Sequence, residues 1–569
     1  METEESSIDG IYITPPDVHC DSEGDSGDED GGGLVDNLSG RQLQAEATIL
    51  TNNEEQDIDV DIPDIPRPAK RMKSQKDSIS YTWDSTKNFT PAFVQKIYEV
   101  QQPPINLSGK TPLQKFNYFF DETLLDLITS ESIKYAAQKN VSFSVTASEI
   151  RAVLGILLLS GYRPVPARRM YWSSDEDVRS DFVADAISRD RFEQILSFLH
   201  FTDNMKLDKN DKLAKLRPLI KYLNEKFATT FPMEQQIDLD ESMIEYFGKH
   251  GCKQCIRNKP IRFGYKAWCL NSKLGYLLAF DIYQGSSSEV QQQYEAKFGK
   301  GGGTLLSLLD SLPDHITKLP LRVYFDNYFT SLPLIAHLSS KHYGATGTVR
   351  DNRIPKKCPI MSTKDMKKQE RGSIDSVVDE SNKISLIRWA DNAVVTVASN
   401  IHSTDPTVKA SRWSSKCKKT IQVNQPYVIN AYNKFMGGTD RMDQNVNCYR
   451  VNIRIKKWWW PIFSWLLDVT VQNAWLLHRQ EDKNMSLFRF RQQIVLSYIK
   501  GAPIRETKGR PRVSIIDDIR FDNIGHLVEP MDKQAWKCGL KTCKSRPSQR
   551  CSKCRVPLCV KCFVAYHRQ

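Results

Sequence analysis

The sequence predicts a multidomain α/β protein, and three observations carry that prediction. Apolar residues recur three and four apart from about 110 to 230, then switch to strand-like alternation near 235. Single aspartates stand at the ends of the strand-like runs that follow. Finally, Cys538, Cys543, Cys551, Cys554, Cys559, Cys562 and His567 crowd the C-terminal end.

A chain of 569 residues is too long for one core. The apolar run Pro461 to Leu477 is broken by Asp468 and Asn473, so no membrane span is expected. The N-terminal residues lack a positive region followed by an apolar one, so no secretory signal is expected either. The 13 cysteines are then reduced, as thiols or metal ligands. The net charge of +11 is unevenly spread: residues 1–66 hold 19 acidic side chains against one basic, Arg41, which leaves +29 on the remainder. A basic body of that size calls for a polyanion, nucleic acid first.

Taken in order, residues 1–85 read as a disordered acidic tail, because DSEGDSGDEDGGG cannot bury enough apolar surface to offset its ordering entropy. The basic cluster RPAKRMKSQK (67–76) at its end reads as a nuclear localisation signal. Residues 86–234 read as a helical domain. Thr146 and Glu149 form a capping box, and Arg163, Arg168, Arg169, Arg189 and Arg191 are placed for phosphate contacts or for a solvated face. Residues 235–375 begin with consecutive antiparallel strands, QQIDLDESMIEYF, KAWCLN and GYLLAFDIY, and continue with a helix and the strand LRVYF. Residues 376–430 are strand-rich, and the chain turns helical from 431.

Asp238 and Asp240 alternate with Ile237 and Leu239, which puts both acids on one face of a strand. Asp326 ends a second strand. Asp440 opens a helix after Gly437-Gly438, and Asp443 lies one turn on. Three carboxylates from two strands and a helix can converge on divalent metal, and two Mg²⁺ ions so held can activate water and stabilise the leaving oxygen of a phosphodiester. This is the logic of an RNase H-like nuclease core, and pattern alone does not choose between Asp238 and Asp240.

Four segments in order, QIDLDESMIEYFGKHGCKQCIRNKPIRFGYKAW, VYFDNYFTS with ATGTVR after it, YNKFMGGTDRMDQ and KKWWWPIF, together with the terminal cysteine module, resemble the piggyBac transposase family over residues 90–569. The resemblance implies that Asp240, Asp326 and Asp440 are the catalytic, Mg²⁺-binding aspartates, with Asp443 a further acid near the metals. It also implies cut-and-paste excision and integration at TTAA through a hairpin intermediate. The family fold divides as an RNase H-like core (235–375 and 431–456) interrupted by a β-rich insertion (376–430). Helical DNA-binding and dimerisation segments flank it (86–234 and 457–529), and a zinc domain closes it (530–569). Double-stranded DNA is then the partner, a homodimer the expected state and the nucleus the location. The alternative is a domesticated, transposase-derived DNA-binding protein without transposition. Thr439 stands where many members have Val, a departure expected to matter little.

Three further motifs complete the reading. KKWWWPIF offers Lys456 and Lys457 for phosphates and a ring for stacking on an unpaired base, and Trp460 matches the family's tryptophan before proline. TKGRPRV (507–513) resembles an AT-hook, with Arg510 and Arg512 entering a minor groove. The seven clustered Cys and His residues predict two structural Zn²⁺ sites in a cross-braced arrangement. His526 matches a family histidine and is the expected eighth ligand. The basic residues of this module favour DNA over a ubiquitin-ligase role. Cys252 and Cys255 read as ordinary thiols.

Overall fold

The computed structural model describes residues 80–86, 88–93, 100–175, 177–256, 260–285, 288–415, 418–501, 520–522, 524–532, 534–535, 537–540 and 542–568, with the backbone of two further strands, Ile8–Ile13 and Ala47–Thr51. The basic cluster at 67–76 and the segment holding Arg510 and Arg512 lie outside the described residues.

The helical region comprises α1 (Pro112–Phe119), α2 (Glu122–Gln138), α3 (Ala147–Ser160), α4 (Arg189–Phe198) and α5 (Arg217–Thr230). Local chemistry starts these helices. Thr111 with Gln114 and Thr146 with Glu149 close reciprocal capping boxes, the second as the sequence predicts. The Val-Leu-Gly-Ile-Leu-Leu-Leu run makes α3 almost wholly buried, because other helices surround it.

The strands begin with β1 (Gln236–Glu245), β2 (Phe263–Ser272) and β3 (Leu277–Ile282), an antiparallel meander with β2 between the other two. Helix α6 (Glu289–Asp310) crosses over, bending at Gly299, whose φ of 80° suits only a residue without Cβ. It leads to β4 (Arg322–Phe325), parallel to β1, and α7 (Leu332–Ser340) leads to β5 (Gly344–Thr348), parallel to β4. The strand-rich segment follows β5. Its strands β6 (Ile374–Asp379), β7 (Ile384–Ala390) and β8 (Val394–Ser399) extend the same sheet, β8 pairing antiparallel with β5. The segment ends in a ribbon, β9 (Val408–Ser414) with β10 (Lys419–Gln425), over its own small core of Ile387, Trp389, Val397 and Val423.

Helices α8 (Tyr427–Phe435), α9 (Gly438–Cys448), α10 (Trp460–His478) and α11 (Leu487–Lys500) return across the sheet and join the first helices. Most of α10 is buried, and Asp468 is compensated there by a 2.8 Å ion pair with Arg491. The 86–234 and 457–500 segments thereby share one hydrophobic core with the sheet.

The acidic tail departs from its reading at two places. Ile8–Ile13 and Ala47–Thr51 pair antiparallel, and Ile11 faces Cys255 of the short edge strand Gln254–Cys255. The segments IYI and ATIL are uncharged and rich in β-branched and apolar residues, unlike the acidic sequence between them. No helix among the described residues is long and apolar enough to cross a membrane.

Candidate active site and metal centres

The parallel register of β1 and β4 places Leu239 opposite Phe325. Asp240, still within β1, and Asp326, the first residue past β4, are therefore side by side. Helix α9 begins against the same strand with Asp440 in its first turn. The charges of Asp443, Asp240 and Asp238 all act on the Cys269 thiol of β2, which burial already raises well above its ordinary value. Those of Asp326, Asp240 and Asp238 act on the phenol of Tyr432, again after burial. One region thus collects acids from β1, β4 and α9.

The structure separates Asp238 from Asp240. Asp238 is fully buried, and its Oδ2 accepts the Thr439 backbone N–H at 3.0 Å and lies 3.1 Å from the Thr439 hydroxyl. It caps the start of α9, where backbone donors lack helical partners. Burial pushes its carboxyl up to about 7, against hydrogen bonds from Thr439 and Gly438 that favour the charged form. A Cβ on Gly438 would lie 2.1 Å from Asp238 Oδ1 and 2.3 Å from the Ser272 carbonyl, so glycine is what lets the helix approach this closely. Asp240 is half-buried and accepts the Glu241 N–H at 2.7 Å. Thr439 is less indifferent than expected: its buried hydroxyl also lies 3.1 Å from Asn271 Oδ1, tying the helix to β2.

Asp443 accepts the Ser242 hydroxyl at 2.5 Å, a second tie between α9 and β1. Asp326 accepts the Tyr328 N–H at 2.9 Å; burial, then the Glu241 carboxylate, raises its pKa. Glu241 pairs at 2.7 Å with the fully buried Lys266, whose ammonium lies 3.9 Å from the Trp268 ring centroid. Arg353 holds the turn after Asp326, donating to the carbonyls of Asn327, Tyr328 and Thr330 at 2.7, 3.0 and 2.5 Å. Asp440 is exposed. The carboxylates share a region without closing into a tight ligand set: among the described residues, the groups whose ligand atoms all lie within 4.8 Å of one another are two Cys/His sets.

Those two sets are His526, Cys551, Cys554 and His567, and Cys538, Cys543, Cys559 and Cys562. Their order along the chain alternates in the interleaved pattern of a cross-brace, and His526 takes the eighth position. His526 Nδ1 lies 3.3 and 3.4 Å from the Cys551 and Cys554 sulfurs, while Nε2 faces Asp522 at 3.0 Å. An outer carboxylate of this kind orients a metal-bound imidazole. His567 turns Nδ1 to the Arg520 carbonyl at 3.0 Å and keeps a buried Nε2 without a hydrogen-bond partner. A strand pair, Val528–Pro530 with Gln549–Cys551, and the helix Val560–Tyr566 frame both sets. Two clusters able to hold metal ions are therefore present.

The tryptophan cluster is placed differently from its reading. Trp458, Trp459 and Trp460 are 5%, 3% and 3% exposed. Trp458 stacks on His250 and Trp459 packs on Phe201, so both serve the core. Trp460 donates Nε1 to the Ile453 carbonyl at 2.7 Å and lines an open cleft with Asp443, Arg450, Arg454 and Trp465. Lys457 donates to the Leu196 and Ser197 carbonyls at 3.1 and 2.9 Å, at the C-terminal end of α4, where a cation is favoured. Lys456 is exposed. Arg168 and Arg191 are engaged by Glu193 and Glu149. Burial pushes the Cys252 thiol up to about 12, in keeping with an ordinary thiol.

Sequence reasoning missed Tyr432, Ser242 and the capping role of Asp238. A signal was available for the last: Gly-Gly-Thr opening a helix without a side-chain cap of its own calls for an acceptor elsewhere.

The class is the transposase: residues 111–475 match a family profile described as Transposase IS4. Within that class, the chain belongs to the piggyBac transposase family. It is 39% identical over 598 aligned residues to human PiggyBac transposable element-derived protein 3, covering 100% of this chain and 98% of the relative. It is 38% identical over 564 residues to human PiggyBac transposable element-derived protein 2, covering 98% and 93%. Among solved structures, the fold is similar to that in the cryo-EM structure of a piggyBac transposase synaptic complex with hairpin DNA. The TM-score is 0.58 at 19% identity, over 81% of this chain and 100% of that one.

Proposed function

We propose that this chain is a piggyBac-like DNA transposase that excises and integrates DNA at TTAA. The observation that carries the reading is the meeting of Asp240, Asp326 and the first turn of α9 at one region of the sheet. The strand order β3–β2–β1–β4–β5, three antiparallel strands followed by two parallel ones, supports an RNase H-like core. Asp240, Asp326 and Asp440, with Asp443 beside them, would hold two Mg²⁺ ions. Their carboxylates are the hard oxygen donors that ion takes. Bound there, the metal would supply an activated water and stabilise the leaving 3′ oxygen. Asp238 and Ser242 hold α9 in place, and Arg353 fixes the turn after Asp326. Trp460, beside Asp443, is the ring we assign to DNA near the cut, with Lys456 toward a phosphate.

We assign two structural Zn²⁺ ions to the two Cys/His sets, on the soft thiolate donors and the free Nε2 of His567. The module they fold reads the transposon ends, and Arg510 and Arg512 contribute a minor-groove contact. The protein acts as a homodimer in the nucleus. The second reading, a domesticated DNA-binding protein without transposition, is favoured by the relatives' own designation as transposable element-derived.

Plasmid excision in cells tests the choice, with donor ends taken from DNA flanking the gene and Asp326→Asn as control. Loss of excision in Asp326→Asn with DNA binding retained supports the enzyme. Binding to those ends without excision by the parent chain selects the domesticated protein.

A further inference from the structure

The ribbon β9–β10 ends the strand-rich segment and has no part in the carboxylate site. Residues 408–425 hold five basic side chains, Lys409, Arg412, Lys416, Lys418 and Lys419, and no acidic one. The register pairs Lys409 with Asn424, Ser411 with Gln422 and Trp413 with Thr420, and these six side chains share the exposed face. Trp413 is 61% exposed. A tryptophan so placed leaves a large flat apolar ring in water on a polar face whose one cation, among those six side chains, is Lys409.

The ribbon that carries the ring is braced from behind. Arg371 donates to the Trp413 carbonyl at 3.0 Å, and Asp391 binds Arg371 and Arg412 together at 2.5 and 2.9 Å. The Arg412 guanidinium lies 5.8 Å from the Trp389 ring centroid, and the Trp389 indole donates to the Asn424 carbonyl at 2.7 Å. Gln422 donates to Ser411 at 2.8 Å across the outer face. A ribbon braced in this way loses little backbone freedom when it binds.

We propose that this face is a binding surface for single-stranded DNA, with Trp413 stacking on an unpaired base while Lys409, on the same face, contacts a phosphate. The proposal rests on the nucleic-acid reading of the protein. A polyanion fits a ribbon without acidic side chains, and an exposed ring on the face that carries Lys409 adds a demand for an open base face, which a paired duplex does not offer.

The test uses the full chain carrying Asp326→Asn, which binds without cutting. Fluorescence anisotropy reads its affinity for a labelled twelve-nucleotide single strand and for a duplex of the same sequence. Trp413→Ala should weaken single-strand binding about 5- to 150-fold, the range for one stacked base. Duplex binding should change by less than about twofold, and Trp413→Phe should restore most of the loss. Lys409→Gln should reduce the salt slope of single-strand binding by about 0.7. Unchanged single-strand affinity in a Trp413→Ala chain with an unchanged melting curve would overturn the proposal. Equal loss on both DNAs would overturn it too, since that marks a general charged face. Because the readout is binding by an inert chain, its failure leaves the excision test untouched.

Discussion

Asp238→Ala removes the acceptor that docks α9 on the sheet. The Thr439 N–H and hydroxyl lose a buried partner, and each such loss costs about 1–3 kcal/mol. Removing a carboxylate from a partly buried helix N-terminus adds up to about 2 kcal/mol. Against these stands the relief of no longer burying the carboxylate. With a pKa pushed up to about 7, the group is close to half protonated at neutral pH, so the charge contribution counts for less than its full value. The net expectation is a loss of about 2–4 kcal/mol, from the hydrogen-bond deficit discounted for that relief. Asp238→Asn keeps an acceptor oxygen for Thr439 and should cost about 1 kcal/mol or less. Urea denaturation gives these values, and metal-dependent cleavage of an end-containing duplex gives the functional comparison. Asp240→Asn should abolish cleavage with little change in the denaturation midpoint, whereas Asp238→Asn should retain cleavage. An Asp238→Asn protein that is stable but as inactive as Asp240→Asn would refute the separation and make Asp238 a metal ligand.

Other outcomes follow from the same physics. Thr439→Val deletes a buried hydroxyl between Asp238 and Asn271 and should lower stability by about 1 kcal/mol in denaturant titration; no change would show the tie to be idle. His200 lies with its ring centroid 3.7 Å from that of Tyr135, and burial, then Lys457 and Lys215, hold its pKa down to about 4. The unfolded chain, near 6.5, protonates first. This contribution is therefore full above pH 6.5 and is lost as pH falls through 4, about 3 kcal/mol by pH 4. His200→Phe should flatten stability across that window, and an unchanged slope would sink the assignment. Chelator treatment, or Cys551→Ser, should unfold the C-terminal module, seen as collapse of its amide NMR dispersion, while the transition of the main body stays in place; retained dispersion in metal-free protein would argue against structural metal.

Much of this protein is determined by the sequence alone. The change from a three-to-four to a two-residue period marks where the helices give way to the sheet, because burial on a helix stripe and on a pleated face demands those periods. Thr146 and Glu149 close the predicted capping box because that chemistry is local. The spacing of Cys538 to His567 announces clusters able to hold metal, because thiols and imidazoles gather densely in so short a segment. Tertiary structure decided what distant partners control. Asp238 and Asp240 share a strand face and differ only in what packs over them, so the docking of α9, some 200 residues on, selects Asp238 for the helix cap. The three tryptophans before Pro461 look alike in the chain, and burial against Phe201 and His250 leaves Trp460 as the one that also lines the cleft. Lys457 reads as a free cation until α4 presents its terminal carbonyls. The strand-rich segment reads as an insertion, and only the pairing of β8 with β5 joins it to the sheet. In each case the deciding interaction links residues far apart in sequence, where periodicity and spacing carry no information.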